Sequence, residues 1–264
     1  CARRGCHGYL ADTGCGNFQL RTACTVNGFG AVMKKTFLLI AGSAALAGAA
    51  LSFSPGNGGL ISVAHAAEGQ HIPQAALRSS ESGLKTAVFA GGCFWGLEAV
   101  FEHVAGVKKV VDGYAGGSKA TANYERVGRG DTGHAESVKI TYDPSKIRYD
   151  QLLRIFFSVA HDPTQVNQQL PDHGTQYRSL IVPQSNEQLR VAKAYIAQLD
   201  KSDVYSKPIA TEIETGQPFY MAEEYHQNFA KKNPNHPYIV RWDAPKVAAL
   251  KRIWPGVYSA KPSA

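Results

Sequence analysis

Thr86-Ala87-Val88-Phe89-Ala90-Gly91-Gly92-Cys93-Phe94-Trp95-Gly96 is the stretch on which the fold turns. Its first five residues are uncharged and largely apolar, and read as a short strand. Two glycines then permit a tight turn, and Cys93 opens a helix that carries Phe94, Leu97, Phe101 and Val104 at helical spacing. A cysteine in the first turn of a helix faces unpaired backbone N–H groups and the positive end of the helix dipole. Both lower a thiol pKa, so the placement predicts a reactive thiolate at Cys93. The plainer reading of a lone cysteine is a buried small hydrophobe, and the strand-glycine-helix setting is what favours reactivity here.

Beyond this helix, Gly106 marks its end and Val107 to Tyr114 reads as a second strand. A polar, glycine-rich loop from Ser118 to Gly133 leads to a third strand, His134 to Tyr142. Its alternation puts Glu136, Val138, Ile140 and Tyr142 on one face and Ala135, Ser137, Lys139 and Thr141 on the other. Glu136 therefore points with the apolar set. On a buried face its carboxyl is desolvated, stays protonated and can donate; at the strand's rim it is a solvated surface acid, and parity leaves both open.

Tyr149 to Val159 reads as an amphipathic helix stopped by His161-Asp162-Pro163. Arg178 to Val182 is a strand, Ser185 to about Leu199 a helix, Ile209 to Glu214 a strand and Met221 to Lys232 a helix. The tail from Asn233 carries five prolines and little period, and is expected to wrap the surface. Strands alternating with helices, with no internal repeat, predict one α/β domain over about 85–255, a mobile linker over 67–84 and a tail over 256–264.

The net charge of +7 on 264 residues invites a nucleic-acid reading, but the charge is unevenly placed. Residues 1–66 hold five Lys/Arg and one acid, leaving 23 bases and 20 acids for the remainder, an ordinary solvated surface without a basic stripe. Met33-Lys34-Lys35 followed by an apolar run to Leu51, with Ala64-His65-Ala66 downstream, has the layout of a secretory signal peptide over 33–66. Residues 1–32 precede it and are expected to be upstream sequence outside the working protein. Cys1, Cys6, Cys15 and Cys24 all fall there, at spacings unlike paired metal knuckles. The expected mature chain is exported, to a bacterial periplasm or beyond, with no membrane span and Cys93 as its one thiol. No P-loop, post-strand G-x-G-x-x-G or H-E-x-x-H occurs, and Glu223-Glu224-Tyr225-His226 lacks a second histidine at metal spacing.

Four stretches then stand together in order. Gly92-Cys93-Phe94-Trp95-Gly96-Leu97-Glu98, Gly130-Asp131-Thr132-Gly133-His134-Ala135-Glu136, Asp172-His173-Gly174-Thr175-Gln176-Tyr177-Arg178-Ser179 and Lys232-Asn233-Pro234 resemble the A-class peptide methionine sulfoxide reductases over about 85–240. The resemblance implies a ferredoxin-like α+β two-layer sandwich in a single compact domain. It assigns Cys93 as the nucleophile that attacks the sulfoxide sulfur and becomes a sulfenic acid, and Glu136 as the acid that protonates the departing oxygen. Tyr124 and Tyr177 match the phenols that bond that oxygen, Asp172 a residue of the same network, Phe94 and Trp95 the walls receiving the substrate methyl, and Tyr238 a substrate-site tyrosine. Taken without the resemblance, Tyr124 and Tyr177 also suit half-buried loop anchors, Trp95 plain core and Asp172 a turn or cap. His134, His161 and His173 suit hydrogen-bonded structural roles, and Glu98 an anchor for the helix or a loop.

The C-terminal stretch Asn233 to Trp242 lacks the resolving cysteines that many relatives carry. The implied chemistry is thiol-dependent reduction of methionine S-sulfoxide, free or in peptides and proteins, by a monomer with no bound cofactor and no metal. An external thiol then clears the sulfenic acid, either a small thiol or a thioredoxin-like or glutaredoxin-like protein. Two rival readings are a one-cysteine thiol peroxidase and a non-enzymatic module that binds peptides through Phe94 and Trp95.

Overall fold

β1 (Lys85–Ala90) runs near the middle of a six-stranded sheet in the computed structural model, which describes residues 69–263. The expectations for the upstream segment and the signal peptide lie outside the described residues. After β1 come α1 (Phe94–Glu102), β2 (Val107–Ala115), the short α2 (Tyr124–Val127), β3 (Ala135–Tyr142) and α3 (Tyr149–Ile155), which winds on through a wider turn at Phe156–Ala160. A two-residue hairpin, β4 (Gln168–Gln169) and β5 (Asp172–His173), precedes β6 (Leu180–Val182), α4 (Asn186–Asp200), β7 (Glu212–Ile213) and β8 (Phe219–Met221). The chain closes with α5 (Phe229–Lys232) and α6 (Ala244–Ile253).

The strand order is β7-β6-β1-β3-β2-β8, antiparallel throughout except where β6 meets β7. Its inner four strands, β6-β1-β3-β2, with α1 linking β1 to β2 and α3 on the way from β3 to β6, have the ferredoxin-like arrangement expected. Strand parity separates the faces. Ala87, Phe89, Val138, Ile140 and Tyr142 join Leu97 and Phe101 of α1 and Leu152 and Leu153 of α3 in the main core, whereas Val88, Ala90, Ala135, Leu180 and Val182 form a second cluster. Phe89 is the hinge pin of the first, stacked on Phe156 at 4.9 Å and lying 5.7 Å from Phe101. Truncating such a ring to alanine costs about 3–5 kcal/mol.

Four expectations need correction. Met221–Lys232 is not a helix: its start is β8, on the edge of β2, and only Phe229–Lys232 is helical. The Gln227 amide replaces helix bonds by continuing the sheet ladder, accepting from Asp112 N (3.0 Å) and donating to Asp112 O (3.1 Å), and Asn228 turns left-handed at φ 56°. The tail is not irregular, for it holds α6, whose Pro245 sits in the first turn where no N–H is required. The 118–133 loop contains a helical turn at Lys119–Thr121 and α2. Residues 69–84 are tied down: Ile72 is buried, its carbonyl accepts from Arg154 at 2.7 Å, and Tyr195 donates to Pro73 O at 2.6 Å.

Candidate active site

Cys93 sits immediately ahead of α1, as the residue capping it and not inside its first turn. The chain reaches it through Gly92 at φ +93°, a left-handed conformation, and a side chain there would strike Gln169 at 2.6 Å. One turn on, Gly96 leaves room for the buried Asp243–Lys246 ion pair, whose carboxylate oxygen lies 2.3 Å from where a Cβ would stand. The two glycines therefore fix where the thiol is carried and let the C-terminal segment close against the helix beneath it.

Glu136 arrives from β3, on the core-facing parity, and is 2% exposed, which removes the rim alternative. Its Oε2 accepts from Phe94 N at 3.2 Å, so the carboxyl lies against the start of the helix that Cys93 caps. Burial pushes its pKa up to about 8; the Phe94 N–H pulls back and nearby Asp172 pushes further up. At neutral pH Glu136 is a carboxylic acid beside a thiol, able to donate.

The remaining candidates converge on the same place. The Tyr177 and Tyr124 phenols are both raised, first by burial and then by Glu136, with Cys93 and Asp172 also acting on each; Tyr124 reaches about 12. Both hydroxyls therefore keep their protons as donors. Tyr238 donates to Asp172. Trp95 stacks on Phe229 at 3.8 Å, meets Tyr238 edge-on at 6.0 Å and donates through Nε1 to His226 Nδ1 at 3.2 Å. Phe94 is buried, with its ring 4.9 Å from His226. Two acids, three phenols and two aromatic walls thus surround one half-buried thiol. Such a set suits a small dipolar group with an apolar end.

The expected low thiol pKa is not what the structure gives. Burial pushes the Cys93 thiol up, Glu136 and Asp243 add to it, and the Trp95 N–H acts the other way. The helix start is present, but desolvation outweighs it. The free protein therefore holds a thiol, and Glu136, protonated at neutral pH, then sets no charge against the thiolate.

The profile of the family described as peptide methionine sulfoxide reductase matches residues 85–256, well over half of the chain. The chain belongs to this family. Peptide methionine sulfoxide reductase MsrA 2 of Mesorhizobium japonicum is 61% identical over 180 residues, covering 68% of this chain and 92% of the relative. A Synechocystis protein of the same name is 56% identical over 170 residues, covering 64% and 79%. Among solved structures, reduced Mxr1 from Saccharomyces cerevisiae superposes with a TM-score of 0.54 at 36% identity, covering 61% of this chain and 92% of that one. Methionine sulfoxide reductase A of Corynebacterium diphtheriae gives 0.50 at 32% identity, covering 62% and 84%. The chain is an oxidoreductase that reduces methionine sulfoxide, a protein-repair activity, and family membership disfavours the peroxidase and non-enzymatic readings.

In this reductase several site residues had no signal in the sequence. Glu223 accepts from Tyr124 N at 3.0 Å and from the Tyr114 hydroxyl at 2.8 Å, fixing the start of α2 and with it the Tyr124 phenol. His226 and Phe229 back the Trp95 wall. All three lie in the segment read as a helix, where their convergence is invisible. His161 and His134 are structural: His161 is bonded to Phe156 O and Ser179 Oγ, and burial lowers its pKa to about 4, while His134 bridges Gly117 N and Ser118 O. Glu98 accepts from Asn228 N at 2.9 Å and so ties a loop. Among the described residues no group of three or more His, Cys, Asp or Glu is placed to hold a metal ion, and no helix is long and apolar enough to cross a membrane.

Proposed function

We propose that the reductase works on methionine S-sulfoxide, free and in peptides, through a Cys93 sulfenic acid that an external thiol reduces. The observation that carries this is the buried Glu136 carboxyl, 3.2 Å from Phe94 N at the start of the helix that Cys93 caps. Trp95 and Phe94 receive the thioether methyl, and the Tyr124 and Tyr177 hydroxyls bond the sulfoxide oxygen. Glu136 lends that oxygen a proton as the Cys93 sulfur attacks the substrate sulfur. The S–O bond of the substrate breaks, an S–O bond forms at Cys93, and the thiol's own proton restores Glu136. One thiol and one sulfoxide thus become one sulfenic acid and one thioether. Two equivalents of an external thiol then return Cys93–SH, water and a disulfide.

Tyr238 and Asp172 hold each other as part of the substrate site. The reductant is a small thiol or a thioredoxin-like or glutaredoxin-like protein, and the enzyme is a monomer exported after cleavage near Ala66. Single-turnover mixing without reductant tests the central step: one equivalent of methionine is expected per enzyme, with a dimedone adduct on Cys93. An intramolecular disulfide in the turned-over mature protein overturns it. N-terminal sequencing of the secreted form tests export.

A further inference from the structure

The Tyr124 ring does not end the aromatic surface of the site. It meets His226 at 4.5 Å, and His226 meets Tyr225 at 4.2 Å, so the two phenol rings form a shelf on either side of His226, which also accepts from Trp95. The inner ring is buried and the outer two are open: Tyr124 is 37% and Tyr225 59% exposed. Ring steps of 4.5 and 4.2 Å place Tyr225 no more than two ring contacts from Tyr124, a span that one extended residue of about 3.3 Å covers only with a long side chain such as that of arginine or lysine.

The charge around the shelf is one-sided. Burial and then the Glu223 and Glu125 carboxylates raise the Tyr225 phenol. Glu223 stays ionised: burial opposes this, but bonds from Tyr124 N and the Tyr114 hydroxyl hold its pKa low. Glu125 is exposed and makes no ion pair among the described residues. The neighbouring Arg126 is turned to Asp131 at 3.5 Å, and burial keeps His226 neutral.

We propose that this shelf binds an arginine or lysine side chain next to the methionine sulfoxide of a peptide substrate, laying the cation over Tyr225 beside the Glu125 and Glu223 carboxylates. An exposed ring and nearby anions attract a cation together, while an acidic side chain is repelled by the same groups. The inference rests on the proposed peptide activity and adds a preference within it.

The test uses blocked peptides Ala-X-MetO-X-Ala as the S-sulfoxide, with X arginine, alanine or glutamate. At low ionic strength kcat/KM for the arginine peptide is expected to exceed that for the glutamate peptide about tenfold, and the ratio to shrink in 0.5 M salt. Tyr225→Ala and Glu125→Gln should each lower the ratio about threefold. Equal rates for the arginine and glutamate peptides with the unaltered enzyme overturn the proposal. So does a ratio that survives both substitutions while the absolute rates fall together, which marks a structural role. If no peptide is reduced, the peptide-reductase reading itself fails and the shelf with it.

Discussion

Helix α1 has buried carboxyls against both ends, and the two groups look alike until their partners are compared. At its start stands Glu136, with a pKa raised to about 8. Further along, Glu98 and Glu102 on the helix are raised to about 7, and Asp112 beneath them on β2 is also raised, all with burial as the first cause. Glu136 bonds the backbone beside the thiol, while Glu98 bonds Asn228 N and steadies the loop that presents His226 and Phe229. Glu98 and Asp112 face each other and share a side-chain hydrogen bond, whereas Glu102 Oε1 has no partner among the described residues. Desolvation makes an acid of either group, and only the groups it faces decide whether the proton has a use.

The comparison breaks or sharpens at four points. Cys93→Ser should leave no measurable turnover while the fold persists by circular dichroism; residual sulfoxide reduction places the nucleophile elsewhere. Glu136→Gln should lower kcat by about 10²–10⁴-fold, the range general acid catalysis supplies. In the unaltered enzyme Glu136 is protonated below about pH 8, so kcat/KM should fall above that pH, and Glu136→Gln should lose this alkaline limb. A limb unchanged by the substitution assigns the acid to another group.

Glu223→Ala should reduce kcat/KM about tenfold, since a small misplacement of the phenol proposed to bond the sulfoxide oxygen is costly. If Glu223 acts by placing Tyr124, the double variant with Tyr124→Phe is no worse than the poorer single one; additive losses separate the two. The smallest effect belongs to the far end of the helix. Glu98 and Glu102 bind protons more tightly folded than unfolded, so their contribution to stability falls as pH rises from about 4.5 through about 7 and stays low above it. Glu98→Gln should shrink the drop in Tm between pH 5 and pH 8 by about 2–4 °C while leaving the alkaline limb of kcat/KM in place. A moved limb makes the second carboxyl group part of the catalytic proton path.

Much of the scaffold was legible because short periods act locally. The alternation of β3 put Glu136 on the apolar face, and the apolar spacing after Cys93 located α1, since neighbours two or four residues apart share a face whatever the rest of the chain does. The segment after Met221 was misread because its order comes from distant partners: Gln227 completes the edge of β2 and Glu223 reaches Tyr124 and Tyr114, none of them near in sequence. Prolines disguised α6, since only the position of its first turn reveals that Pro245 occupies a tolerated place.

The sequence by itself determined the strand-glycine-helix placement of Cys93, the face of Glu136 and the order of the motifs, because each depends on backbone periodicity and on glycines that no other residue replaces. Tertiary structure decided the state of the thiol. Whether a helix start lowers its pKa depends on how much water and negative charge remain around the sulfur, and Glu136, Asp243 and the surrounding walls reach it from strands and helices far apart in the chain.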